Sequence, residues 1–145
     1  MPIVWILLLV VLATTSMVSD MTRQSKNRSA AADLSALAHN LLIYRNALAE
    51  YAYNNPGVTG SPADSALPLP NWWVHAPGVR GYIQNGSSYT FYATPPNGLV
   101  TTLGELTQSV AVGYASGGQL VSPTGGATGV VLPAAVPNGA AVAYR

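Results

Sequence analysis

Side chains able to do chemistry are sparse in this chain. His39 and His75 are its only histidines, and cysteine is absent. The carboxylates are Asp20, Asp33, Glu50, Asp64 and Glu105, and no two of them stand three or four residues apart. General acid–base work by paired carboxylates needs two such groups brought together, and no helix turn here supplies them. Without thiolates, and with His39 beside Asn40 instead of a carboxylate, no metal-ligand spacing emerges either. Ser116, in Gly113-Tyr114-Ala115-Ser116-Gly117, lacks the G-x-S-x-G spacing of a nucleophile elbow. Gly125-Gly126-Ala127-Thr128-Gly129 lacks the lysine of a phosphate loop. The two histidines read as structurally satisfied or solvated groups. No catalytic, metal or cofactor-binding residue is assigned, no small-molecule substrate is implied, and an enzyme is not expected.

Contact chemistry is better represented. Asn71-Trp72-Trp73-Val74-His75 follows a Pro-rich stretch. On a strand, neighbours point to opposite faces, so one of Trp72 and Trp73 is expected in the core and the other is a candidate partner contact. A second candidate is the apolar stripe Leu34, Leu37, Ala38, Leu41, Tyr44 or Arg45, Leu48, Tyr51 or Ala52, with the spacing of one helix face. That stripe is expected to dock its helix onto the domain's own sheet.

The strongest address lies at the start. Ile3, Val4, Trp5, Ile6, Leu7, Leu8, Leu9, Val10, Val11, Leu12 and Ala13 form an unbroken apolar run, followed by Thr14-Thr15-Ser16-Met17-Val18. Ile3 to Val18 gives about 24 Å of helix at ~1.5 Å per residue, between the needs of a signal-peptide core and of a full span. No basic residue precedes the run, and Thr14-x-Ser16 is a poor cleavage site. A retained membrane anchor over 1–19 is therefore expected, bound to lipid through this helix. Arg23, Lys26 and Arg28 on its C-terminal flank would place the body in the cytoplasm. The body's composition opposes that: 8% of all residues are charged, lysine occurs once, and Gly, Ser, Thr, Asn and Tyr carry the surface. Such a neutral surface suits an exported assembly component, and the periplasmic side is preferred. A net charge of +1 without a basic stripe after Arg45 excludes nucleic acid as an expected partner.

These features need few elements to position them. A polar collar covers 20–28, and a single α+β domain covers 29–145. Helix is expected over 29–53, continuing the hydrophobic helix either directly or after a break in the collar, and stopping at Asn54-Asn55-Pro56-Gly57. A Pro/Gly loop runs over 54–71, and a β-rich body over 72–145. Val79–Gln84 and Ser88–Ala93 flank Asn85-Gly86, a hairpin signal. Thr102-x-x-Glu105 suggests a capping box for a short helix near 103–115, with Leu103, Leu106, Val110 and Tyr114 on one side. Strands are expected at Gln119–Ser122, Thr128–Leu132 and Ala140–Tyr144. The fold class is α+β: an N-terminal hydrophobic helix, continuing amphipathically, packed on a small and mainly antiparallel sheet.

The layout is similar to type IV pilins and pseudopilins, but lacks a basic leader ending in Gly and a Glu near the fifth residue of the apolar run, so prepilin-peptidase processing is not expected. The anchor, Leu42-Ile43-Tyr44-Arg45-Asn46-Ala47, Asn71-Trp72-Trp73 and Val136-Pro137-Asn138-Gly139 resemble the PilM family of plasmid type IV thin-pilus assembly proteins, small membrane proteins distinct from the actin-like proteins sharing that name. The resemblance spans the chain. It implies a non-enzymatic component of the pilin-transport apparatus or pilus basal body in the bacterial inner membrane, supporting conjugation, with other pilus-assembly proteins as partners. A minor pilin built into the fibre and a secreted soluble binding module are the alternatives.

Overall fold

The computed structural model describes residues 2–145, with side chains from Ile3 onward. Met1 and the Pro2 side chain, at the head of the expected anchor, lie outside the described residues. The chain divides into two compact units, Met1–Asp33 and Leu34–Arg145. Helix α1, Pro2–Asn54, contributes to both and is continuous through the polar collar. The sequence allows this because no Gly or Pro interrupts residues 3–53. The expected stop holds: the Asn55 backbone N–H and side-chain amide both donate to the Tyr51 carbonyl, at 3.0 and 2.9 Å.

The second unit is an α+β domain. Its six strands are β1 Val79–Gln84, β2 Ser87–Tyr92, β3 Val112–Ser116, β4 Gln119–Ser122, β5 Gly126–Val131 and β6 Ala141–Tyr144. They form one sheet in the order β1-β2-β6-β3-β4-β5, with every neighbouring pair antiparallel. The last strand in sequence is thus central, between β2 and β3. The β1–β2 turn is Asn85 (φ 53°) and Gly86 (φ 79°), the left-handed pair that a two-residue hairpin requires.

The sheet buries both faces. On one side Ala38, Leu41, Tyr44, Ala47, Leu48 and Ala52 of α1 pack with Val79, Ile83, Ala141 and Ala143, joined by Leu99, Val100 and Leu103 of helix α2, Leu99–Thr107. On the other side Tyr89, Phe91, Ala115, Leu120 and Val142 pack under Leu132 and Val136 from the β5–β6 connection. Where the stripe left alternatives open, Tyr44 and Ala52 are buried while Arg45 and Tyr51 are only partly so. Gly81 permits the close approach of α1 to β1. A Cβ there would lie 2.6 Å from both Leu48 Cδ2 and a Tyr44 ring carbon.

Two expectations require correction. The short helix is not at 103–115; it starts after Gly98 and ends at Thr107, with Gln108 in a left-handed conformation (φ 48°). Thr102 is no N-cap, since its hydroxyl donates back to the Gly98 carbonyl at 2.9 Å. Val112–Ser116 is strand β3 instead, because pairing with the buried β6 overrides the helical spacing of Val110 and Tyr114. Gly117 and Gly118 (φ 57° and 75°) are the turn of the β3–β4 hairpin. Second, Trp72 and Trp73 are not neighbours on a strand. Asn71 and Trp72 form a turn, and the first strand starts at Val79.

Candidate contact surfaces

In the first unit the described apolar residues stand exposed. Ile3 to Leu12 are between 54% and 71% exposed, and Met17, Val18 and Met21 are exposed as well. The polar side chains among them are internally satisfied. Thr14 donates to the Val10 and Val11 carbonyls, Thr15 to those of Val11 and Leu12, Ser16 to that of Ala13, and Ser19 to that of Thr15, at 2.9 to 3.1 Å. A hydroxyl paired with its own helix can enter hydrocarbon at much lower cost than a free one. The helix is long and apolar enough to cross a membrane, and none of its most apolar window is buried.

In the second unit the loop between α1 and β1 carries the tryptophans. Trp72 is 72% exposed and Val74 is exposed beside it. Trp73 is partly buried and stacks on Tyr44, with ring centroids 5.8 Å apart and planes 23° from parallel. One tryptophan is therefore inside and the other outside, but a turn separates them, not strand alternation. The Trp73 indole N–H has no acceptor among the described residues.

Several contacts fix this loop. The Asn40 side chain donates to the Val74 carbonyl at 2.7 Å and accepts from the Ala76 N–H at 3.2 Å. Near its start, Gly60 exchanges both backbone hydrogen bonds with Ile83, and the Ser61 hydroxyl donates to the Gly81 carbonyl at 2.6 Å. His75 closes the arrangement. Its Nδ1 lies 2.6 Å from Asp64 Oδ2 and its Nε2 lies 2.6 Å from the Val79 carbonyl oxygen. The ring packs against Tyr44 and Trp73, at centroid distances of 5.2 and 5.3 Å. Burial, aided by the nearby Asp64 charge, pushes the Tyr44 hydroxyl up to about 12. Tyr44 is thus a neutral packing surface over the ordinary pH range.

Nothing in the spacing of His75 pointed to this pair: eleven positions separate it from Asp64 inside an irregular loop. His39 stays local, its Nδ1 2.8 Å from the Ser35 carbonyl oxygen. Asp64 with His75 is a pair, not a cluster, and no group of three or more potential metal ligands occurs among the described residues. A cavity of about 480 Å³ lies between α2 and the β4–β5 turn, lined by Thr101, Glu105, Val110, Val112, Ser122 and Pro123 among others. Glu105 is the one charged residue in its lining.

A family model described as PilM matches residues 6–144. Among solved structures, a protein assigned as PilM from Pseudomonas aeruginosa 2192 is 49% identical, over 78% of this chain and 93% of that one, with a TM-score of 0.52. Another assigned as PilM, from Escherichia coli B7A, is 23% identical over 79% of this chain and 93% of that one; its TM-score of 0.60 shows a shared fold. No curated protein matches the chain.

Proposed function

The chain belongs to the PilM family, and from that premise we propose that it is a non-enzymatic structural component of type IV pilus biogenesis, held in the bacterial inner membrane by a single helix. The observation that carries this reading is the segregation of apolar residues. Ile3–Leu12 stand exposed with their polar neighbours internally bonded, as a lipid solvent requires, while the domain from Leu34 onward closes its own core. A soluble domain that has already buried its core gains nothing from such a segment in water. The anchor fixes the protein at the membrane, and the domain meets other pilus-assembly proteins through the Trp72 segment. The sparsely charged surface of the body supports a periplasmic location, where the protein would serve the pilin-transport apparatus or basal body used in conjugation.

Deletion of the gene tests the role. Loss of pili and of conjugal transfer, restored by the intact chain, is the expected result; normal pili and normal transfer would contradict it. Shearing separates the fibre reading from this one, because an assembly component stays with the membrane and a minor pilin leaves with the fibre. Alkaline phosphatase fused after Arg145 is expected to be active.

A further inference from the structure

The His75 ring meets acceptors on both sides. The Val79 carbonyl can only accept, so Nε2 carries a hydrogen; the Asp64 carboxylate accepts as well, so Nδ1 carries the other. A neutral imidazole has one N–H and cannot serve both contacts at 2.6 Å. An imidazolium, with an N–H at each ring nitrogen, satisfies both contacts beside an ionised Asp64. We infer that His75 is a proton-operated clamp, which holds the Trp72–Trp73 segment in its presented conformation while the ring is charged and releases one end when the proton leaves.

The placement of the two contacts makes the clamp structural. Asp64 lies in a short 3-10 turn, Asp64–Ala66, early in the loop, and Val79 opens β1 at its end. His75 therefore ties the loop's first half to the root of the sheet across the tryptophan segment. Its ring also packs on both members of the Tyr44–Trp73 stack, so movement of the imidazole disturbs the wedge that seats Trp73. The remaining titratable or charged groups around the ring are Tyr44 on α1 and Arg80 and Tyr82 on β1, which line one surface cavity of about 430 Å³ with Asp64 and His75. Tyr44 stays neutral across the histidine range, and Asp64 is the carboxylate that meets the ring. Release occurs as pH rises and the ring deprotonates. His75 and Asp64 remain partly exposed, at 33% and 46%, so the effect is a local opening of the loop and not unfolding.

The functional meaning of this clamp rests on the reading that the Trp72 segment contacts assembly partners. The clamp itself is tested on the intact chain in detergent micelles. Ring nitrogen shifts of His75 are followed with pH, together with exchange of the loop amides of Leu67, Trp73 and Val79, corrected for the intrinsic pH dependence of exchange. The expected result is that both ring nitrogens are protonated wherever the loop is protected. Exchange then accelerates about threefold to tenfold, the scale of one partly exposed charge-assisted contact, with the same midpoint as the ring. Asp64→Asn should abolish the step and His39→Gln should leave it intact. A neutral His75 tautomer in the protected state, or loop exchange that does not follow the ring, would overturn the clamp. Should Asp64→Asn lower global stability, the coincidence of the two midpoints in the unaltered chain decides the matter. Normal piliation with Trp72→Ala would sink the contact reading and leave the clamp standing, whereas uncoupled midpoints would do the reverse.

Discussion

Leu7, Leu8 and Leu9 share a helix with Leu41 and Leu48, yet the first three are more than half exposed and the last two are fully buried. The residue type is the same and the helix is the same; the sequence around each differs. Leu41 and Leu48 recur at helical spacing, so one stripe meets the sheet while Asn46 and Glu50 stay outside. From Ile3 to Ala13 every residue is apolar, so no face is set apart for a protein partner, and the segment suits a medium that is apolar all round. Periodicity identifies a helix docked on protein; its absence, with hydrophobicity intact, identifies one suited to lipid.

That contrast can be broken from either side. The largest effect is expected from replacing Leu8 and Leu9 together with Arg. Each arginine near the centre of a membrane helix costs about 2.5–3.5 kcal/mol, and the protein should move from the carbonate-resistant membrane fraction to the soluble one while its circular dichroism stays folded. The mirror change, Leu48→Ala, should keep the protein in the membrane and destabilise the domain by about 2–5 kcal/mol in denaturant titrations. Gly81→Ala attacks the same contact from the sheet, driving a methyl group into Leu48 and Tyr44, for about 1–3 kcal/mol. Smaller still is the alkaline limb. The Tyr44 hydroxyl is raised in the fold to about 12, so its contribution is fully present below the unfolded value near 10.0 and is lost as pH climbs through about 12. Absorbance titration should show this tyrosine ionising late, at about 12. The smallest effect on stability, under about 0.5 kcal/mol, is expected for Trp72→Ala, whose side chain is mostly solvated.

The parts of this fold readable in the sequence were those set by neighbours in the chain. The α1 stripe, its stop at Asn54-Asn55-Pro56, and the Asn85-Gly86 hairpin follow from spacing and from residues that tolerate positive φ. The α2–β3 boundary did not follow, because Thr102, Leu106, Val110 and Tyr114 happen to sit at helical intervals. The deciding contacts, Val112 with Ala143 and Gly113 with Val142, come from a strand thirty residues away. The loop site was hidden for the same reason. The exposed apolar run could be read from the sequence, but the stacking of Trp73 on Tyr44 and the Asp64–His75 pair are products of tertiary folding. A sequence shows that a histidine is present; only the folded loop shows that both its nitrogens face acceptors.

The account's central claim is that a membrane-held, self-contained domain works in pilus assembly, and complementation of a deletion strain tests it most directly. Conjugal transfer and surface pili are measured with the intact chain and with the variant carrying Arg at positions 8 and 9, at matched protein levels. The account predicts restoration by the intact chain and failure of the folded but unanchored variant. Full restoration by the unanchored variant would contradict it.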